Sequence, residues 1–360
     1  MLSMRRVGLD VHAKETTAVM LDAVSGELLV RRIAGRPDRV LEWLESLEQP
    51  FQAVYEAGPT GYGLARRAAE RGLDLVVCSP AHIPKRPGGR VKTDRRDAER
   101  LARLLLAGEL RTVRVPEPAE EQLRDVVRSR EDLRVDLMRC RHRISKFLLR
   151  RELYYPHSGG AWTVQHRDWL STLRFDDEAS TLVFVDTLHA HDSLVARRDH
   201  LERALGELAE RSQWAPTIAR LRCLRGIDTL SAIGLVAEIG DFHRFSHPAK
   251  LAGFLGLVPS EDTSGEQRRQ GSITKAGSKH ARRLLVEAAW HYRLRPAVSK
   301  HLERRQRDQD PRAIDAAWRC QRRLHQRWQR LDLERGKRRT IVAVAVAREL
   351  STYCWELGTL

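Results

Sequence analysis

Lys92-Thr93-Asp94-Arg95-Arg96-Asp97-Ala98-Glu99-Arg100-Leu101-Ala102 sets two acids at the head of a helical pattern that Leu104 and Leu105 continue. Side chains three apart on a helix share a face, so Asp94 and Asp97 point the same way from its first turn. Like charges held that close repel, and either water or a cation relieves them. Two earlier stretches offer partners for a cation. Val7-Gly8-Leu9-Asp10-Val11-His12 and Ala53-Val54-Tyr55-Glu56-Ala57-Gly58 each read as a strand in which an acid interrupts an apolar run. An unpaired carboxylate in a buried strand is costly to desolvate, so something positive is expected opposite Asp10 and Glu56. Asp10, Glu56, Asp94 and Asp97 thus form a candidate catalytic quartet. It suits two magnesium ions about 3.5–4 Å apart, the arrangement used for phosphoryl transfer. The alternative is a strand-end acid beside an exposed helix face.

Outward from these stretches, residues 5–12, 16–22 and 27–33 read as three strands joined by short turns, a meander. Pro37 opens a helix whose apolar face is Val40, Leu41, Leu44 and Leu47. Strand 51–57, helix 62–71 and strand 73–78 follow. Three strands and then alternating helices and strands predict a mixed sheet covered by helices, in the ribonuclease H-like order. Before the Asp94 helix, residues 80–92 hold three prolines, two adjacent glycines and four cations, Lys85, Arg86, Arg90 and Lys92. A basic loop beside a carboxylate cluster suits a nucleic-acid backbone, and a merely solvated loop is the other reading.

From 117 to 152, Leu123, Val126, Val127, Leu133, Leu137, Ile144 and Leu148 recur at three- or four-residue steps, predicting a long amphipathic helix. Residues 192–210 read as a second, and the two would pair as an antiparallel arm with 154–191 as an irregular tip. His189-Ala190-His191 lacks a third ligand for a metal. Further on, 221–234 resembles a helix-hairpin-helix that offers backbone N–H groups to phosphate. Asp228 stands where a second glycine is usual and would repel phosphate; ordinary helix packing is the alternative.

In 254–283, a glycine-bounded loop carries Thr263-Ser264-Gly265 among Arg268, Arg269, Lys275 and Lys279, leading to Arg282 and Arg283 on a helix. A serine oxygen beside cations can attack a phosphodiester, and the same residues can be a plain turn with phosphate anchors. The tail 290–339 interleaves arginine with Trp290, His291, Tyr292, Trp318, His325 and Trp328, and 341–350 reads as a closing apolar helix.

A net charge of +16 over 360 residues favours a polyanionic partner, nucleic acid first. Neither a signal peptide nor an apolar run of about 20 residues is present, so the expected setting is cytoplasmic, with no membrane partner. Five scattered cysteines fit neither a disulfide framework nor a zinc site.

From Gly8-Leu9-Asp10 through Gly256-Leu257-Val258-Pro259 to Ala347-Arg348-Glu349-Leu350, the chain resembles the DEDD-type transposases of bacterial insertion sequences. These are also called bridge recombinases, in which an RNA specifies donor and target DNA. The resemblance implies a fold of α/β plus α type. Its parts would be a RuvC-like (ribonuclease H-like) domain over 1–112, a coiled-coil helical hairpin arm over 113–213, and a mostly helical transposase domain with the serine loop over 214–360. The four acids of that family fall on Asp10, Glu56, Asp94 and Asp97, and its serine on Ser264. Many members have two serines there; this chain has Thr263 before Ser264, which makes Ser264 the better candidate and Thr263 a fallback. The implied chemistry is strand exchange at a magnesium site with a phosphoserine link. Implied partners are donor and target DNA, a guide (bridge) RNA and further copies of the chain, as a dimer or tetramer, in a bacterial, nucleoid-associated setting. Two other readings stay open: a metal-dependent junction-resolving nuclease in which Ser264 is structural, and a nucleic-acid-binding protein without catalysis.

Overall fold

The computed structural model describes residues 5–80, 83, 93–264 and 267–360, without the side chains of 262–264 and 267–269. The cations Lys85, Arg86, Arg90 and Lys92, and the side chains of Ser264, Arg268 and Arg269, lie outside what is described. Contacts divide the chain into two compact units, 1–117 and 118–360.

In the first unit, β1 (Arg5–Val11), β2 (Glu15–Asp22) and β3 (Leu28–Ala34) form the expected antiparallel meander, with Arg5 opposite Asp22 and Val11 opposite Thr16. Helix α1 (Pro37–Glu45) starts on its proline and buries Val40, Leu41 and Leu44. Strand β4 (Phe51–Glu56) returns parallel to β1, and after α2 (Gly63–Glu70) strand β5 (Leu75–Cys78) adds parallel to β4. Then come α3 (Asp94–Leu106) and a short β6 (Thr112–Val113), antiparallel to β5. The sheet order is β3-β2-β1-β4-β5-β6, a mixed sheet as predicted. Alternation along the strands sorts the two faces. Val7, Leu9, Ala53, Tyr55 and Val77 face the core shared with α1 and α2, whereas Val54 and Cys78 pack with Leu101 of α3.

The second unit begins with α4 (Pro118–Leu149), α5 (Val164–Thr172) and α6 (Glu178–Arg211). α4 and α6 run antiparallel: Arg130 pairs with Glu202, Cys140 Sγ lies 3.5 Å from the Thr187 carbonyl, and Arg151 donates to Ser180 at 2.7 Å. The tip is not irregular as expected. It holds α5 and the first turns of α6, closed around Cys140, Ile144, Phe147, Leu170, Phe184 and Leu188. The Asp177 side chain caps α6 by accepting from Ser180 N at 2.7 Å.

The arm's base belongs to the larger core. Leu123, Val127, Leu205 and Ala209 pack with α7 (Ala215–Leu221) and α8 (Thr229–Ile239), and every residue of α8 from Ala232 to Ile239 is buried. The unit continues with α9 (Pro248–Phe254), α10 (Lys279–Ala289), α11 (Lys300–Gln306), α12 (Pro311–Gln329) and α13 (Arg339–Gly358), and α9, α10, α12 and α13 add residues to the same core. Trp328 and Tyr292 sit wholly inside this core, while Trp290 and Trp318 stay partly exposed. All five cysteines are free and buried. Among the described residues no helix is long and apolar enough to cross a membrane.

The expected serine loop is instead a two-stranded ribbon, β7 (Pro259–Ser264) with β8 (Gln267–Ile273). Its strands are polar on both faces, so they leave no alternating apolar signal in the sequence.

Candidate functional site

Gly8 is where the site begins. A Cβ there would lie 1.9 Å from the Ala98 carbonyl oxygen and 2.7 Å from Ala102 N, so only glycine lets the α3 backbone rest on β1. Two residues along β1 from this contact, on the same face, stands Asp10; one helical turn back along α3 from Ala98 stands Asp94. Thr93 starts α3 by accepting from Arg96 N at 3.4 Å, which fixes both acids in the first turn.

Among the described residues, one ligand atom each from Asp10, His12 and Asp94 come within 4.8 Å of one another. His12 Nε2 is 3.3 Å from Asp10 Oδ2 and 4.0 Å from Asp94 Oδ1. Burial raises the Asp10 carboxyl above its ordinary value; His12 pulls it down, and the charges of Asp94 and Asp97 add to the rise. The structure therefore brings Asp10, Asp94 and Asp97 within electrostatic reach of one another. Glu56 closes β4, and because Leu9 pairs with Tyr55, it and Asp10 stand one residue further on at the ends of adjacent parallel strands. Glu56 is exposed and falls outside the three-residue group, but its charge joins burial in raising the neighbouring Cys78 thiol to about 11.

These donors fit a divalent cation: two hard carboxylates and one imidazole, set where burial first and the neighbouring acids after it raise the Asp10 carboxyl, which a cation would offset. His12 was missed in the quartet read from sequence. Its signal was available, since a residue two after Asp10 on the strand shares its face.

In the second unit the backbone register sets Thr263 opposite Arg268 and Ser264 opposite Gln267. The ribbon's root is tightly built. Gly256 and Gly277 have positive φ, 64° and 65°, and a Cβ on either would strike backbone at 2.3 and 2.0 Å. Arg282 donates to the carbonyls of Leu255, Ala276 and Gly277, and Arg283 pairs with Glu131 and Glu287 at 2.6 Å. These two arginines, read from sequence as standing near the start of the helix after the loop, tie the root and the arm. Lys275 and Lys279 remain exposed beside the ribbon. In the hairpin read as helix-hairpin-helix, Asp228 caps α8, accepting from Ser231 N at 2.8 Å.

Residues 7–152 match a transposase family model of the DEDD, IS110 type, and residues 218–303 match the transposase IS116/IS110/IS902 family. A putative transposase, y4qE, of Sinorhizobium fredii is 37% identical, over 98% of this chain and 88% of its own length. The transposase for insertion sequence element IS1533 of Leptospira borgpetersenii is 30% identical, over 92% and 97%. A probable family 20 transposase of Pseudomonas aeruginosa is 26% identical, over 80% and 84%. The mixed sheet with α3 packed on β1 is the ribonuclease H-like layout of a DEDD domain. The chain belongs to the IS110 family of insertion-sequence DEDD transposases.

Proposed function

We propose that this transposase moves its element by RNA-guided DNA strand exchange, using an acidic magnesium site and a serine nucleophile. The observation that carries the proposal is the convergence of Asp10 and Asp94, with Asp97 beside them, under a helix seated on Gly8. Asp10, Asp94 and His12 would hold a divalent ion, with Asp97 and Glu56 completing the acidic rim. When bound, the ion supplies positive charge against the non-bridging oxygens of a scissile phosphate.

The chain's own groups do the rest. Asp10 and Asp94 fix the place at which a phosphodiester can sit, and His12 partly offsets the burial that raises the Asp10 carboxyl. Ser264 is the proposed nucleophile. Its Oγ forms a bond to phosphorus while one P–O bond of the strand breaks. The proton that Ser264 gives up balances the one the departing oxygen takes up as it leaves as a hydroxyl; a hydroxyl of a second strand later gives up its proton, bonds to phosphorus and displaces Ser264, whose oxygen is reprotonated. Exposed Lys275 and Lys279 beside the ribbon, with Arg268 and Arg269 on it, suit the backbone of bound DNA. The acids and the serine stand in separate compact units of the chain, which favours a dimer or tetramer in which copies share sites.

The test is a denaturation-resistant protein–DNA adduct formed with magnesium, donor and target DNA and the RNA that copurifies. The adduct should be present in wild type and absent in Ser264→Ala, with strand exchange lost in both Ser264→Ala and Asp10→Ala. Cleavage that persists in Ser264→Ala without any adduct would leave a metal-dependent nuclease in place of the recombinase.

A further inference from the structure

The turn between α7 and α8 opens onto a cavity of about 390 Å³ lined by Arg225, Asp228, His291, His301 and Arg305, with Val298 and Leu302 on its apolar side. Two guanidinium groups and two imidazoles thus face one carboxylate, and that carboxylate is already engaged as the cap of α8. Each arginine is held in place by one nitrogen: Arg225 Nη1 donates to the Arg295 carbonyl at 2.8 Å, and Arg305 Nη1 to the Ile227 carbonyl at 2.5 Å. The Nε of Arg305, and that of neighbouring Arg222, are buried with no hydrogen-bond partner. A buried N–H donor without an acceptor is costly, and an anion in the cavity that Arg305 lines would supply one.

The electrostatics agree. Burial and the charges of Arg225 and Arg305 hold His291 below its ordinary value, and burial, then Arg222, does the same to Arg305 against the opposing pull of Asp228. Burial is the larger cause in both, and an anion in the cavity would favour the charged forms. The close fit of the turn keeps the cavity in shape, since a Cβ on Gly226 would meet the Ala288 carbonyl oxygen at 2.8 Å and His291 Cδ2 at 2.9 Å.

We infer that this cavity takes a phosphodiester of the DNA backbone, held by Arg225 and Arg305, neither of which belongs to the acidic site or the serine ribbon. The contact positions the duplex without reading its sequence. It uses guanidinium groups where the sequence pattern suggested hairpin amides, and Asp228 tempers it. Because it concerns DNA binding alone, it stands whether or not strand exchange uses RNA or Ser264.

The experiment measures binding of the full-length protein to a short fluorescent duplex as a function of potassium chloride, with helical content and melting temperature checked for each variant. Arg225→Gln and Arg305→Gln should weaken binding and reduce the slope of log affinity against log salt by about one. Asp228→Asn keeps a side chain that caps helices well and removes the opposing charge, so it should bind at least about threefold more tightly. A gain at unchanged helical content and melting temperature does not come from a damaged fold, so this variant decides the matter even if Arg305→Gln unfolds. Unchanged affinity and slope in the folded arginine variants, or weaker binding by Asp228→Asn, would overturn the inference. Shifts seen with single-stranded RNA and not with duplex DNA would overturn the assignment to DNA.

Discussion

Gly8 and Asp10 are two residues apart on β1, and the first makes the second useful. With the α3 backbone 1.9 Å from where a Gly8 Cβ would be, Gly8→Ala has to push the helix off the sheet and carry Asp94 away from Asp10. Such overpacking costs about 1–3 kcal/mol, to be read as a fall in the urea midpoint of the protein together with loss of divalent-ion binding. His12 gives a finer test. If its Nε2 is a ligand atom, as its 3.3 and 4.0 Å separations from Asp10 and Asp94 suit, His12→Ala should weaken manganese binding by about tenfold or more. Calorimetric titration measures this, and wild-type affinity would remove His12 from the set. Asp10 and Asp94 were legible in sequence because each breaks a regular pattern, one an apolar strand and the other the head of a helix. His12 was less so, because a polar residue at a strand's end is ordinary there and only its face distinguishes it.

At the scale of the element, the arm is fastened to the core through charge. Glu238, buried on α8, accepts from Arg128 of α4 at 3.0 and 3.2 Å, and Arg124 donates to the Ala237 carbonyl at 3.0 Å. Burial pushes Glu238 up, but Arg128, Ser278 and Arg124 together outweigh it and leave the carboxyl below its ordinary 4.5. A depressed acid contributes stability above its unfolded value, and that contribution is lost as pH falls through the folded one. Glu238→Gln should therefore cost about 1–2 kcal/mol at neutral pH, since the Arg128 it leaves is 58% exposed, and lose less than wild type on acidification below pH 4.5, as followed by helical circular dichroism in urea. His280, held below its ordinary 6.5 mainly by burial, adds a loss beginning at higher pH in both proteins. None of this was legible, because Glu238 sits in an apolar run and its partner lies 110 residues away. The long helices were legible from their periodicity. The first turns of α6 were not, since exposed Leu182, Val183 and Val185 blur the pattern that buried Phe184 and Leu188 set, and β-branched residues weaken helix propensity. The ribbon of β7 and β8 escaped for the opposite reason, having no apolar face at all.

At the scale of the molecule, two compact units divide the proposed chemistry, the acids in 1–117 and Ser264 in 118–360. The sheet unit could be read in order from its strands and turns because neighbouring elements pair with one another, β2 with β1 and β5 with β4. The helical unit could not, because α4, α8, α10 and α13 meet across long separations in sequence. A net charge of +16 serves any nucleic-acid partner and chooses none, so the acidic site has to carry the claim of catalysis. Magnesium-dependent cleavage of element-end DNA, compared between wild type and an Asp94→Asn variant of unchanged melting temperature, tests that site most directly. A loss of at least about a hundredfold is expected in the variant, and cleavage at the wild-type rate would contradict the assignment of Asp94 to the reaction.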